Sequence, residues 1–100
     1  MMIVIGGTMR LPPENLDQIR PHMATVIAAN RAEAGCIEFS LAEDCLEPGL
    51  IRVFEIWADQ PALDAHRKTQ HLATWREVGA TLGVGDRKLF VHEVASRTAL

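Results

Sequence analysis

Four polar side chains in the second half of this chain have the types and spacing that a pocket for a small organic ligand requires. Glu55 and Trp57 lie two residues apart, and His66 and His71 follow in the next segment. An imidazole can transfer protons near neutral pH, a carboxylate can accept or orient a proton, and an indole offers a flat apolar face. Together, these groups favour an enclosed site for a small molecule.

Glu55 is expected to be at least partly buried, because apolar residues flank it in a predicted strand. A buried carboxylate must be hydrogen-bonded or paired, or else it takes up a proton. We therefore interpret Glu55 as a general base or as the partner that orients His66. The alternative is a structural ion pair, for example with Arg10 or Arg52.

His66 follows Leu63 by one helical turn, so both side chains are expected to lean towards the sheet. At such a position, a histidine is either a proton-transfer group or an ordinary residue of the core. Trp57 is interpreted as a core residue that also forms a pocket wall. His71 is a weaker candidate for the pocket, because the helix is expected to break beside it.

The sequence predicts neither a metal site nor a reactive cysteine. His66 and His71 are five residues apart across the expected break, which misses the i,i+4 spacing of a helical zinc pair. Cys36 has no basic neighbour to lower its pKa, and the two cysteines lack CxxC spacing. No GxGxxG, GxxxxGK or GxSxG motif occurs, which argues against dinucleotide, nucleotide and hydrolase sites.

An alternation of strands and helices is predicted to position these residues. Strand patterns occupy residues 2–9, 36–41, 50–58 and 87–95, and helical patterns lie between Pro12 and Gly35 and between Asp59 and Gly83. Ile37 and Phe39 are predicted on one inner face, and a break is predicted at Thr69-Gln70. The order β-α-β-β-α-β predicts an α+β, ferredoxin-like split βαβ fold with an antiparallel sheet.

The third and fourth strands are apolar on both faces, which predicts a homodimer. In this fold both helices cover one face of the sheet, and an open antiparallel face is normally polar. A second copy of the sheet is the simplest cover for the remaining apolar face. We therefore expect two copies to associate with their sheets face to face.

Length and composition predict one domain over residues 1–100 and limit its partners. The chain has 48% hydrophobic residues and a net charge of -3, with no run of Lys or Arg. Nucleic acid and anionic membranes attract basic patches, so neither is an expected partner. No apolar run approaches the ~20 residues that span a bilayer, and the unpaired cysteines favour a cytoplasmic protein.

Three segments, in this order and spacing, resemble the antibiotic biosynthesis monooxygenase family of dimeric α+β barrels over about residues 2–95. They are Glu33-Ala-Gly-Cys36 with Phe39, Glu55-Ile-Trp57, and Ala62-Leu-Asp-Ala-His66 with His71-Leu72. The resemblance implies a ferredoxin-like homodimer with a pocket between sheet and helices in each subunit. The family includes quinol monooxygenases that use no flavin, haem or metal, haem-degrading enzymes, and an isomerase of a phosphorylated sugar.

The haem-degrading branch does not match at two positions. Its members resemble each other in a first-strand Asn, where this chain has Gly7, and in an iron-ligating His, where this chain has Trp75 and Arg76. The isomerase branch resembles this chain around His66 to His71 and near Arg87-Lys88. Four basic residues in these regions could bind a phosphate group, or they could equally be solvated surface charges. They are Arg67, Lys68, Arg87 and Lys88.

The resemblance and the residue chemistry together predict a cofactor-independent monooxygenase that acts on an electron-rich aromatic, such as a quinol, with dioxygen. His66 is the expected base or hydrogen-bond donor, Glu55 its orienting partner and Trp57 the stacking wall. His71 and Phe39 are further expected substrate contacts. The alternatives are an isomerase of a small, phosphorylated carbonyl compound and a non-enzymatic, ligand-binding stress-response dimer.

Overall fold

The computed structural model describes all 100 residues, and its elements follow the predicted order. The strands are β1 (Met2–Arg10), β2 (Cys36–Glu43), β3 (Leu50–Trp57) and β4 (Gly85–Val94). The helices are α1 (Leu16–Arg31), which follows a short 3-10 turn at Pro13–Asn15, α2 (Gln60–His66) and α3 (Gln70–Thr81). The predicted helix break is therefore confirmed, since α2 and α3 are separate helices. None of the helices combines the length and apolar composition needed to cross a membrane.

The four strands form one antiparallel sheet in the order β2-β3-β1-β4. Directly opposed residues of antiparallel strands share a face, so Ile5 of β1 lies on the same face as Glu55 of β3 and Val91 of β4. The helices cover this inner face. This α+β arrangement confirms the predicted ferredoxin-like fold.

The core consists of two apolar clusters on the inner face. One surrounds Ile19 of α1 and Ile51 of β3. The other joins Trp57 and Leu63 to Phe39 and to the first residues of β1. Because Leu63 belongs to α2, this second cluster anchors that helix on the sheet and gives His66, the last residue of α2, a rigid support.

The path of β2 differs from the prediction at one residue. Ile37 was expected to share the inner face with Phe39, but it is exposed. The pairing register with β3 shifts between Cys36 and Glu38, so Ile37 is an additional residue at a bulge. Beyond the bulge, Phe39 faces inward, directly opposite Glu55.

The outer face of the sheet retains large apolar side chains that this chain does not cover. Phe54 and Phe90 both pair with Gly6, one from each side, and are 42% and 62% exposed. A residue next to Ile5 in a strand points to the opposite face, which places Gly6 and both phenylalanines on the outer side. The apolar character predicted for both faces is therefore present.

Candidate functional site

A cavity of about 550 Å³ lies between the inner face of the sheet and helices α2 and α3. Most of its lining is apolar, with Val53 on the sheet and Leu72 on α3 as examples. Both predicted catalytic groups, Glu55 and His66, line it together with Phe39. A mostly apolar cavity with a few polar groups is typical of a small-molecule site.

His66 is held in place by the termini of two helices. Asp59 caps the start of α2 by accepting a hydrogen bond from Ala62 N at 2.9 Å. Thr69 caps α3, and its Oγ1 also donates to the carbonyl oxygen of His66 at 2.8 Å. As a result, His66 is only 4% exposed and yet its side chain reaches the wall of the cavity.

The two ring nitrogens of His66 have different surroundings. Nδ1 lies 2.7 Å from Oε2 of Glu33, whereas Nε2 makes no hydrogen bond within the protein. An ionised carboxylate only accepts hydrogen bonds, so in a neutral imidazole at this position Nδ1 is the donor and Nε2 carries the lone pair. This arrangement leaves Nε2 as the nitrogen that can act on a ligand in the cavity.

His71 approaches the same carboxylate from the other side of the helix break. Its Nε2 lies 2.9 Å from Oε2 of Glu33, so the two imidazoles share one oxygen. His71 was predicted as a substrate contact, but it does not line the cavity and instead borders a smaller neighbouring pocket. It adjoins His66 through the shared Glu33 oxygen and through a tilted ring contact, with centroids 6.4 Å apart.

Glu33 is the functional candidate that sequence reasoning set aside. No role was predicted for Glu33, whose segment Glu33-Ala-Gly-Cys36 only carried the family resemblance, and the turn of this segment lies against α2. Gly35 has φ +82°, and a Cβ there would lie 2.6 Å from Cβ of Ala62. Its carbonyl also accepts a hydrogen bond from Ala58 N at 2.8 Å. Only glycine fits such a close contact, which brings the Glu33 carboxylate to the end of α2.

Glu55 is buried, and its partner is not the predicted one. Its Oε1 accepts a hydrogen bond from Nε1 of Trp57 at 2.9 Å, and no hydrogen bond joins it to His66. The prediction that Glu55 orients His66 is therefore wrong, since Glu33 holds that position. Burial raises the pKa of Glu55, and the hydrogen bond from Trp57 only partly opposes this shift.

The alternative of a structural ion pair for Glu55 is also wrong. Arg10 pairs with Glu47 at 2.8 Å, and Arg52 pairs with Asp44 at 3.0 Å. Both pairs are far more exposed than Glu55. The Glu55 carboxyl group therefore borders the cavity without a direct basic partner.

Trp57 supports the catalytic candidate rather than forming the cavity wall. Its side chain is 0% exposed, and its ring stacks on His66 with centroids 4.4 Å apart and an angle of 28°. The indole lies behind the imidazole and does not line the cavity, so it is not placed for the predicted stacking on a ligand. Phe39 does line the cavity, with its ring centroid 6.4 Å from that of His66.

The spacing argument against a shared ligand site for the two histidines is also wrong. The break between α2 and α3 folds the chain so that ligand atoms of Glu33, His66 and His71 lie within 4.8 Å of one another. Two histidines and a carboxylate can hold a divalent transition metal. In this structure both ring nitrogens instead bond directly to Oε2 of Glu33. The absence of a metal from the working protein remains a prediction.

The environment of Cys36 agrees with its predicted lack of reactivity. Burial raises the pKa of the thiol, and the neighbouring carboxylates of Glu33 and Glu55 raise it further. Since the thiolate is the nucleophilic form, these surroundings disfavour nucleophilic catalysis by Cys36.

A family model and several similar solved structures carry the same family description. The model of the antibiotic biosynthesis monooxygenase family matches residues 2–78. A candidate monooxygenase of this kind from Deinococcus radiodurans has a TM-score of 0.88 and 24% identity, covering 100% of this chain and 98% of that one. Another from Nitrosomonas europaea has a TM-score of 0.87 and 18% identity, covering 98% and 94%.

A protein of Synechocystis sp. without a characterised function is 28% identical over 98 residues, which make up 98% of this chain and 67% of that protein. The family match extends over most of the chain and includes Glu33, Glu55 and both histidines of the site. This chain therefore belongs to the antibiotic biosynthesis monooxygenase family.

Proposed function

We propose that the protein is a cofactor-independent monooxygenase that oxidises a small electron-rich aromatic, such as a quinol, with dioxygen. The observation that carries the proposal is the hydrogen bonding of the two ring nitrogens of His66. Its Nδ1 is held by Glu33, while its Nε2 has no protein partner at the wall of a mostly apolar cavity. Membership of the monooxygenase family supports oxygenase chemistry at the family level.

In this proposal, Nε2 of His66 removes a proton from a phenolic hydroxyl group of the bound ring. The resulting imidazolium is stabilised by the Glu33 carboxylate at 2.7 Å and by the stacked indole of Trp57. The phenolate is a much better electron donor than the phenol, so it can reduce dioxygen directly. The apolar side chains of the cavity disfavour water next to the reactive intermediate.

The overall reaction balances without an added reductant. One oxygen atom of dioxygen forms a bond to a ring carbon, and the other leaves as water. The substrate ring supplies all the electrons for this reduction and both hydrogen atoms of the water. A hydroquinone is thereby converted to a hydroxylated benzoquinone. Dioxygen is the oxidant, and the ring is the group oxidised.

Glu55 has a separate role in this proposal. One carboxyl oxygen accepts the hydrogen bond from Trp57, and the other has no protein partner at the cavity wall. Because burial raises its pKa, the neutral acid is favoured relative to an exposed glutamate. A neutral carboxyl group can donate a hydrogen bond to a ring oxygen.

Oxygen uptake with a panel of quinols tests the proposal. We expect wild-type protein to consume dioxygen faster than the substrate autoxidises, and His66→Gln to reduce the excess rate by about 10²-fold or more. Treatment with a chelator, followed by metal analysis, should leave the rate unchanged. A wild-type rate equal to autoxidation contradicts the proposal, and substrate turnover without oxygen supports an isomerase instead.

We also propose that the protein works as a homodimer in which a second copy covers the outer face of the sheet. The exposed Phe54 and Phe90 on either side of Gly6 support this arrangement. Small domains gain stability from such burial, because they bury a smaller share of their own surface than large ones.

A further inference from the structure

Three arginines in the cavity wall have no acidic partner. Arg67, Arg76 and Arg87 line the cavity, and none of them forms an ion pair or a side-chain hydrogen bond. By contrast, four of the five arginines outside the cavity each bond a protein oxygen (Arg10, Arg20, Arg31 and Arg52), and only the exposed Arg97 does not. The unpaired guanidinium groups are therefore concentrated around the cavity.

Arg76 and Arg87 are exposed, and each lies in a row of apolar residues that line the cavity. On α3, Arg76 lies in the i,i+4 row between Leu72 and Ala80, both of which line the cavity. On β4, Arg87 is the first of the alternate residues that line the cavity, the others being Leu89 and Val91. Helix α3 and strand β4 thus each contribute one arginine, from an otherwise apolar row of residues, to the lining of the same cavity.

The charged side chains that line this space are mostly positive, and the three arginines are also exposed to solvent. Glu55 is the only acidic residue of the lining, and burial disfavours its ionised form. A ligand that carries an anionic group would supply the missing counter-charge, and a guanidinium fork matches the oxygens of a carboxylate or a phosphate.

We propose that the substrate of this cavity is an aromatic ring that carries a carboxylate or phosphate group, bound by Arg76 and Arg87. The apolar walls take the ring, and Nε2 of His66 faces its hydroxyl group. The identity of the reacting ring rests on the proposed function, whereas the recognition of the anion does not.

Binding measured by calorimetry under anaerobic conditions tests the inference without turnover. The probes are hydroquinone, 2,5-dihydroxybenzoate and 4-hydroxyphenyl phosphate, which share one ring and differ in the anionic group. We expect the preferred anion to bind about tenfold more tightly than hydroquinone, corresponding to about 1.4 kcal/mol. The two anionic probes distinguish a carboxylate site from a phosphate site. The preference should weaken from about 20 to about 200 mM salt, because partly exposed charges are screened.

The double variant Arg76→Gln/Arg87→Gln should reduce the preference to about twofold or less. Arg97→Gln is the matched control, since Arg97 is exposed and does not line the cavity. Circular dichroism and the melting temperature verify that the double variant is folded. Equal affinity of the wild type for all three probes overturns the inference, as does an anion preference that survives in the double variant.

Oxygen uptake with the same probes separates this inference from the proposed function. An anion preference without oxygen consumption supports the anion site and contradicts the monooxygenase. Oxygen consumption without an anion preference supports the monooxygenase and overturns the anion site.

Discussion

The hydrogen bond between Glu33 and His66 controls which nitrogen of the imidazole carries the proton. In Glu33→Gln, the side-chain amide can donate to Nδ1, which shifts the proton to Nε2 and removes the base from the cavity. We therefore expect the rate constant for oxygen uptake to fall about 10²-fold or more, with little change in the melting temperature.

The matched control for Glu33→Gln is Glu14→Gln, which removes an exposed carboxylate from the turn before α1. A role of Glu33 in positioning His66 also predicts a shifted pH profile of the residual rate, which a merely structural role would not produce. Unchanged kinetics in Glu33→Gln would contradict the assigned role.

Glu55 makes the stability of the protein depend on pH in a specific direction. Because burial raises its pKa in the folded state, the folded chain holds this proton more tightly than the unfolded chain. The stabilisation of the folded state by this proton is fully present below the usual glutamate pKa. It is lost as the pH rises through the raised pKa of Glu55 in the folded protein.

Glu55→Gln keeps an oxygen that can accept the hydrogen bond from Trp57 but cannot ionise. The free energy of unfolding of this variant, relative to wild type, should therefore increase from pH 4 to pH 8 in urea titrations. Glu14→Gln again serves as the exposed control. A difference that stays constant over this pH range argues against an unfavourable buried charge at Glu55.

At the scale of elements, the break between α2 and α3 brings the two histidines to one carboxylate. Thr69 maintains this break, because Oγ1 accepts from Leu72 N at 3.4 Å and donates to the His66 carbonyl at 2.8 Å. In Thr69→Ala, we expect a loss of about 1 kcal/mol, since both hydrogen bonds disappear. This corresponds to a melting temperature lower by about 4–8 °C.

Thr25→Ala in α1 is the control for Thr69→Ala, since its hydroxyl group bonds only an exposed helix carbonyl. Thr25→Ala should lower the free energy of unfolding only slightly, because alanine is a better helix former than threonine. Oxygen uptake should decline in Thr69→Ala and remain unchanged in Thr25→Ala. Equal melting temperatures for the two variants would show that the cap does not hold the break.

The helix break and the strands could be predicted because their signals are local. Thr69 and Asp59 are good N-cap residues, and alternating apolar residues identify β3 with Glu55 and Trp57 on its inner face. The bulge that exposes Ile37 was missed, since a change of register depends on the partner strand.

At the scale of the whole molecule, the outer face of the sheet predicts association. Phe90→Glu places a charge at the centre of the proposed dimer interface, next to Gly6. We expect wild-type protein to elute as a dimer and Phe90→Glu as a monomer in light-scattering chromatography, because burying an unpaired charge is unfavourable.

Leu46→Glu introduces the same charge at an exposed leucine in the connection between β2 and β3. This control should remain a dimer. A wild-type monomer at micromolar concentration, or a Phe90→Glu dimer, would refute face-to-face association.

The amino-acid sequence by itself determined the order of elements, the inner-facing positions of Phe39, Glu55 and Trp57, and membership of the family. It did so because periodicity, caps and motif spacing are properties of neighbouring residues. The tertiary structure alone decided the partner of His66. Glu33 is 33 positions away, and it reaches the imidazole because Gly35 allows its turn to pack against α2. Such a contact depends on how elements pack in space, which local patterns do not encode.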